Sequence, residues 1–179
     1  VTGFKGAWLC LILKMFDAKI LGVGYKPNKN QNLFNQLKLK KDITLKYTDI
    51  RDYKKLKKII KNFKPQIVFH LAAQPIIFQS YKDPLSTINI NSTGTMNVLN
   101  ILRDIKQIKS IVCITSDKCY ANNFSTKGFV ETDRLGGSDP YSASKASAEI
   151  IINAYKESYF KEKKVGIASA RAGNVIGGG

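Results

Sequence analysis

The 179-residue chain contains one histidine, one tryptophan, two methionines, three cysteines and five prolines. Cys10, Cys113 and Cys119 are too few and too scattered for a disulfide framework. With His70 as the only histidine they also make a poor zinc set, and no metal is expected. No apolar run reaches the roughly 18 residues of a membrane span. The longest candidate, "AWLCLILKMF", is broken by Lys14 and reads as a buried helix. No charged start leads into an apolar run with a small-residue cleavage site, so no signal-peptide pattern is expected. These shortages point to a reduced, cytoplasmic protein. Repeats and low-complexity segments are also missing. With 44% hydrophobic residues, the chain is long enough to bury a substantial core, which excludes wholesale disorder.

Acids are scarce: 13 against 29 bases, for a net charge of +16. Such a balance invites a nucleic-acid reading. Arginine, the better base and phosphate reader, occurs only at Arg51, Arg103, Arg134 and Arg171. The lysines are spread out, densest in "YKKLKKIIKNFK", where Leu56, Ile59, Ile60 and Phe63 keep helical spacing. Those lysines are expected on the solvated back of an amphipathic helix. Nucleic acid is therefore not the expected partner. The charge suits an acidic sugar nucleotide or polyphosphate cofactor equally well.

Strand-like runs alternate with helical patterns. "AWLCLILKMFDA", "DYKKLKKIIKNF", "DPLSTININSTGTMNVLNILRDI" and "DPYSASKASAEIIINAYKESYFKE" read as helices. "KILGVGY", "ITLKYTD", "PQIVFHLAA", "KSIVCITS" and "KVGIASARAG" read as strands. Alternation with strands apolar on both faces implies an α/β fold, a doubly wound parallel sheet covered by helices on each side. "VTGFKG" opens with no strand before it, and "NVIGGG" closes as a tail. Residues 1–179 are thus expected to be one domain, incomplete at both ends and part of a longer protein.

Several stretches carry polar groups where such sheets bind ligands. Gly3 and Gly6 open a helix, either as an ordinary turn or as the close approach that a pyrophosphate needs. Asp52 reads as a helix N-cap; Asp49, at a strand end, could accept a hydrogen bond from an adenine amine. In "HLAAQP", Ala72 and Ala73 either pack under a helix or let a flat ligand pass over the strand end. His70 reads as a satisfied strand-end histidine and Cys119 as a small packing residue. "TSDKCY" sets Thr115, Ser116, Asp117 and Lys118 after an apolar strand.

The pattern Tyr-x-x-x-Lys occurs at Tyr25/Lys29, Tyr53/Lys57, Tyr141/Lys145 and Tyr159/Lys163. Spacing alone cannot choose among them. Tyr25 and Lys29 flank Pro27 in a loop, and two other pairs lie on highly charged helices. Only Tyr141 begins a helix of small residues downstream of a polar strand end. A free phenol titrates near pH 10, and a nearby cation favours the phenolate.

In order, "TGFKG", "DIRD", "HLAAQP", "TSDKCY", "DPYSASK" and "SARAGNVIGGG" resemble the extended short-chain dehydrogenase/reductase superfamily, over essentially the whole chain. Within it they resemble the sugar-nucleotide 4,6-dehydratases. Many of these carry glutamate where Lys118 stands, so Ser-Asp-Lys points to the branch acting on CDP-glucose. The resemblance implies an NAD-binding Rossmann domain of a lyase in surface-polysaccharide synthesis, dimeric when full length and inactive as these residues alone. It implies that Gly3, Phe4 and Gly6 touch the pyrophosphate, Asp49 and Ile50 the adenine, and Ala72, Ala73 and Gln74 the ribose and nicotinamide. Tyr141 and Lys145 would be the dehydrogenase pair, Ser116 would bond the substrate hydroxyl, and Asp117 and Lys118 would serve the elimination. Asn174 and Arg171 would lie near the sugar-nucleotide phosphates. The first strand and first glycine of the dinucleotide fingerprint are absent, as is the substrate lobe. Lys26 stands where an acid for the ribose is expected, which by itself favours NADP; the resemblance favours NAD. Other sugar-nucleotide dehydratases or epimerases, acting on dTDP-, GDP- or UDP-sugars, and a basic non-catalytic binding module are the competing readings.

Overall fold

The computed structural model describes residues 1–26, 33–121 and 128–178. The chain divides into two compact units, Val1–Phe63 with Ile176–Gly179, and Lys64–Val175.

The first unit starts with helix α1, Phe4–Met15, three residues ahead of the expected start. Gly3 stands extended before it without a side-chain cap. The helix stops before the expected end because Asp17 turns left-handed, with its N–H closing on the Lys14 carbonyl. Strand β1, Leu21–Gly24, pairs in parallel with β2, Thr44–Tyr47, Leu21 opposite Thr44. Between them lie a short helix, α2, Leu33–Gln36, and a 3₁₀ turn, Leu39–Lys41. Ala7 and Cys10 of α1 pack with Phe34 and Leu39, and Val1, Ile20, Ile43 and Leu45 border them. A methyl group on Gly22 would lie 2.8 Å from Ile43 Cδ1 and 2.9 Å from Val1 Cγ1, so the strand accepts only glycine there without repacking. Helix α3, Tyr53–Phe63, buries Leu56 and Ile60 and exposes Lys54, Lys55, Lys58 and Lys61, the amphipathic arrangement expected. Asp52 caps it, accepting from Lys55 N at 3.1 Å.

The second unit holds three parallel strands in the order β3–β4–β5: Ile67–His70, Ser110–Ile114 and Gly166–Ala170. Ile67 sits opposite Ser110, and Ser110 opposite Gly166. A helix absent from the sequence reading, α4, Ile77–Lys82, follows β3. The long helix expected over 83–105 is three consecutive pieces: α5, Pro84–Ile88; a widened π turn, Asn89–Thr93; and α6, Gly94–Leu102. Asp83 caps α5, accepting from Ser86 N at 3.0 Å, with Pro84 preset for the first turn. Helix α7, Pro140–Tyr155, continues into a second π turn, Lys156–Phe160. Leu99, Ile101, Leu102, Ile111 and Phe160 are fully buried in this unit.

The parallel α/β class holds in both units. Among the described residues the strands form two ladders, β1–β2 and β3–β4–β5, instead of one continuous sheet. The physical reason is that no described strand offers a backbone to both β1 and β3.

Candidate active site

Three elements of the second unit bring its polar groups together. Thr115 and Ser116 follow strand β4 directly, and a 3₁₀ turn, Asp117–Cys119, comes next and packs against α7. Ser116 shapes that turn: its Oγ accepts from Lys118 N at 3.2 Å and donates to Asp117 Oδ1 at 3.1 Å. Asp117 N donates to the Ala172 carbonyl at 3.1 Å, which ties the turn to the segment after β5. Lys118 Nζ lies 3.1 Å from Asp117 Oδ2, a half-exposed ion pair.

Helix α7 starts where Asp139 caps it, taking Ser142 N at 3.0 Å, with Pro140 preset for the first turn. That start places Tyr141 and Lys145 on one face, 7% and 6% exposed. Lys145 Nζ lies 6.0 Å from the centre of the Tyr141 ring. The competing tyrosines differ. Lys57 lies over the Tyr53 ring at 5.3 Å on α3, and Lys163 bonds the Arg103 carbonyl at 2.7 Å. Lys29 and Pro27 lie outside the described residues.

Asn91, 1% exposed, was not singled out from the sequence. Its Oδ1 accepts from Gln74 N at 2.8 Å, and its Nδ2 donates to Gln74 O at 3.1 Å and to Ser144 Oγ at 2.8 Å. The π turn thus fastens the segment after β3 to α7, with Ala72 exposed and Ala73 half-buried beside Gln74. His70 is buried, its Nε2 2.9 Å from Thr95 Oγ1. Thr95 donates that hydroxyl to the Asn91 carbonyl at 2.6 Å, so His70 Nε2 carries the proton that Thr95 accepts. Burial, and then Lys145 nearby, push the imidazole down to about 4. It is a neutral, satisfied ring, as the sequence suggested.

That ring carries a pH prediction. In the unfolded chain the histidine gains its proton near pH 6.5, while the folded chain resists it down to about 4. Stability is therefore full above about pH 6.5 and declines as the pH falls toward 4, at about 1.4 kcal/mol per unit from this group. Urea midpoints between pH 7 and pH 4.5 check it. His70→Gln should flatten the slope by about one proton's worth, and an equal slope in both proteins would disprove this origin.

Glu149, also missed from the sequence, is 4% exposed on α7. Arg171 Nη2 reaches its Oε2 at 3.0 Å. The Arg171 guanidinium is thus taken up by Glu149, by Tyr120 OH at 2.9 Å and by the Glu131 carbonyl at 3.0 Å. Asn174 lies exposed beyond it. A clue to Glu149 was available: it is an acid four residues past Lys145 on a face of small residues. Cys113 and Cys119 are buried thiols, pushed by burial up to about 12 and about 11. Among the described residues no cluster of His, Cys, Asp and Glu could hold a metal.

In the first unit, α1 presents an N-terminus with no side-chain cap and no acid in its first turn. A methyl group on Gly3 would meet nothing within 4 Å, whereas one on Gly6 would lie 2.7 Å from the Val1 carbonyl oxygen. Open backbone at Gly3 and tight packing at Gly6 suit a helix start that receives a pyrophosphate. Phe4 is half-buried and Ile50 buried. Asp49 Oδ2 accepts from Tyr25 OH at 2.7 Å and from Arg51 Nη2 at 2.6 Å, and its Oδ1 accepts from Arg51 N at 2.7 Å. The Arg51 guanidinium is the main cause that holds Asp49 down to about 2. An adenine amine would have to share an acceptor that is already engaged. Lys26, after β1, is exposed.

Known proteins match this arrangement. The chain is 43% identical over 183 residues to CDP-glucose 4,6-dehydratase of Salmonella typhimurium, covering 99% of this chain and 51% of that protein. It spans about half the length of that relative. The UDP-glucose 4-epimerase of Thermotoga maritima, solved with UDP-glucose, superposes with a TM-score of 0.81 at 20% identity, over 95% of this chain and 52% of that one. The UDP-glucose 4-epimerase of Brucella ovis, solved with NAD, gives 0.79 at 20% identity, over 95% and 49%. At such identities the structures establish the shared fold. The model of the GDP-mannose 4,6 dehydratase family matches residues 1–176. On that match, the chain belongs to the GDP-mannose 4,6 dehydratase family.

Proposed function

We propose that residues 1–179 form the NAD-binding part of a CDP-glucose 4,6-dehydratase, which converts CDP-glucose to CDP-4-keto-6-deoxyglucose. The observation that carries this reading is the packing of the Ser116-Asp117-Lys118 turn against the helix that presents Tyr141 and Lys145. The 43% identity to the Salmonella protein supports CDP-glucose over other sugar nucleotides.

The first unit offers Gly3, Phe4 and Gly6 for the cofactor's pyrophosphate, and Asp49 and Ile50 for its adenine. In the second unit, Ala72, Ala73 and Gln74 border the ribose and nicotinamide, and Asn174 serves the sugar-nucleotide phosphates, whereas the Arg171 guanidinium expected there is engaged by Glu149, Tyr120 and the Glu131 carbonyl. NAD, when bound, supplies the acceptor for the C4 hydrogen and returns that hydrogen to C6. Ser116 orients the C4 hydroxyl, and Tyr141 takes its proton. Lys145 Nζ, 6.0 Å from the centre of the Tyr141 ring, is the cation beside the phenol that takes this proton. The resulting ketone acidifies C5. The proton leaving C5 is taken by the Asp117–Lys118 pair, and Asp117 passes it to the C6 hydroxyl, which departs as water, so the pair ends with the protons it began with. Lys118 Nζ, 3.1 Å from Asp117 Oδ2, orients that carboxyl and is placed to stabilise the enolate.

Two finer statements belong to the same reading. The intact protein is a homodimer, supported by Leu85, Ile88 and Met96 exposed along residues 84–102; sedimentation at the monomer mass would refute this. It works in the cytoplasm for polysaccharide synthesis. Three free, buried cysteines and the lack of any described helix long and apolar enough to cross a membrane support that location.

The test is incubation of the intact protein with CDP-, dTDP-, GDP- and UDP-glucose. A 4-keto-6-deoxy product from CDP-glucose is expected. Product only from another nucleotide would move the assignment to a different dehydratase. No sugar-nucleotide or NAD binding, with salt-sensitive binding to duplex DNA, would favour a basic binding module.

A further inference from the structure

Glu149 is a carboxylate taken out of water, one helical turn past Lys145. Such a group persists only with partners, and here they come from three places in the chain. Thr115 Oγ1, just past β4, donates to Oε1. Ser169 Oγ, on β5, donates to Oε2 at 2.8 Å, and Arg171 Nη2, just past β5, to the same oxygen at 3.0 Å. Arg171 extends the cluster. Its guanidinium lies 4.9 Å over the Tyr120 ring while Nη1 bonds Tyr120 OH at 2.9 Å. Tyr120 stacks on Phe129 at 4.7 Å and 5°. None of these contacts enters the steps above.

Their placement relative to the reacting groups is specific. Ser116, Asp117 and Lys118 lie between Thr115 and Tyr120, so the trio is gripped at both ends, by Glu149 on one side and by Arg171 on the other. A third grip is the bond from Asp117 N to Ala172 O, the residue beside Arg171. The opposite arm of the pair is on α7, where residues 141, 145 and 149 follow at successive turns of one face.

We infer that the Glu149–Arg171 ion pair is a positioning device that sets the Ser116–Lys118 turn against the Tyr141–Lys145 face. This rests on the dehydratase reading. Oxidation at C4 needs Tyr141 and Lys145, whereas loss of water across C5–C6 needs the turn. One sugar must meet both sets without leaving. A misplacement of about 1 Å can cost about 100-fold in rate, and the side chains of Asp117 and Lys118 are half-exposed, carried between the buried Ser116 and Cys119.

Two variants of the intact protein test the inference. Glu149→Gln removes the charge from the pair. Tyr120→Phe removes one of the two acceptors of Arg171 Nη1, leaves the Glu131 carbonyl and keeps the ring stack, so it preserves the fold if the first variant does not. In both, kcat should fall about tenfold or more with KM within about twofold of the parent. Deuterium at C5 of the substrate should slow the variants more than the parent, and deuterium at C4 less, because elimination becomes limiting. Amide exchange at Asp117 and Cys119 should speed up while that of α7 stays unchanged. Isotope effects equal to the parent's, with rate loss that tracks the folded fraction, would reduce the pair to a structural bond and overturn the inference. If the parent turns over no sugar nucleotide, the dehydratase reading fails. Unchanged amide exchange in Tyr120→Phe overturns the positioning role independently.

Discussion

Tyr141→Phe is expected to lower turnover of the intact protein about 100- to 10,000-fold, the range for losing a positioned general base. The ring remains, so its packing at 7% exposure is kept and the fold should not soften. Only the oxygen is lost. No phenol oxygen is then left beside Lys145, 6.0 Å from the ring centre, and the C4 hydroxyl keeps its proton. Elimination requires the C4 ketone, so the whole reaction stops with the first step. Saturating kcat, measured beside thermal denaturation and cofactor affinity, checks this. Tyr53→Phe and Tyr159→Phe serve as controls with the same spacing to a lysine and should turn over like the parent. Activity of Tyr141→Phe within a few fold of the parent would place the base elsewhere.

Glu149→Ala is expected to cost about 3–5 kcal/mol of stability, the usual result of breaking a buried pair by removing one partner. Arg171 then keeps its charge at low exposure, and the hydroxyls of Thr115 and Ser169 lose their acceptor. Denaturant midpoints measure the loss. Glu149→Leu combined with Arg171→Leu should recover much of it, because two apolar side chains leave no orphaned charge. A double variant as unstable as Glu149→Ala would mean that the hydrogen bonds, not the charge, hold the helix. Burial raises the Glu149 carboxyl, but the hydrogen bonds from Arg171, Thr115 and Ser169 outweigh it, and the group ends below its ordinary 4.5. Its contribution is thus complete above about pH 4.5 and declines as acid protonates the folded form.

The strands and helices were legible because apolar runs and punctuation act locally. The amphipathic spacing in 52–63 needed only neighbours on one helix, and α3 formed as read. What depended on distant partners was not legible. The π turn at Asn89–Thr93 goes with a side chain bonded to Gln74, 17 positions away, and to Ser144, 53 away. The Glu149–Arg171 pair needs β5 to return beside α7, a juxtaposition that spacing does not encode. Tyr141 was chosen among four matching pairs because small neighbours and a polar strand end are local facts. Near Asp49 the sequence offered an acceptor for adenine. It did not show that Arg51, two residues on, folds back onto the same carboxylate.

Trp8, the single tryptophan, donates its Nε1 hydrogen to the Gly178 carbonyl at 3.0 Å, across 170 positions of sequence. A link of such span is a non-local contact, for which a long loop must close. Indole emission is therefore a built-in reporter of that closure: phases confined to local structure should leave it unmoved, and its change should coincide with docking of residues 176–178 onto the first helix.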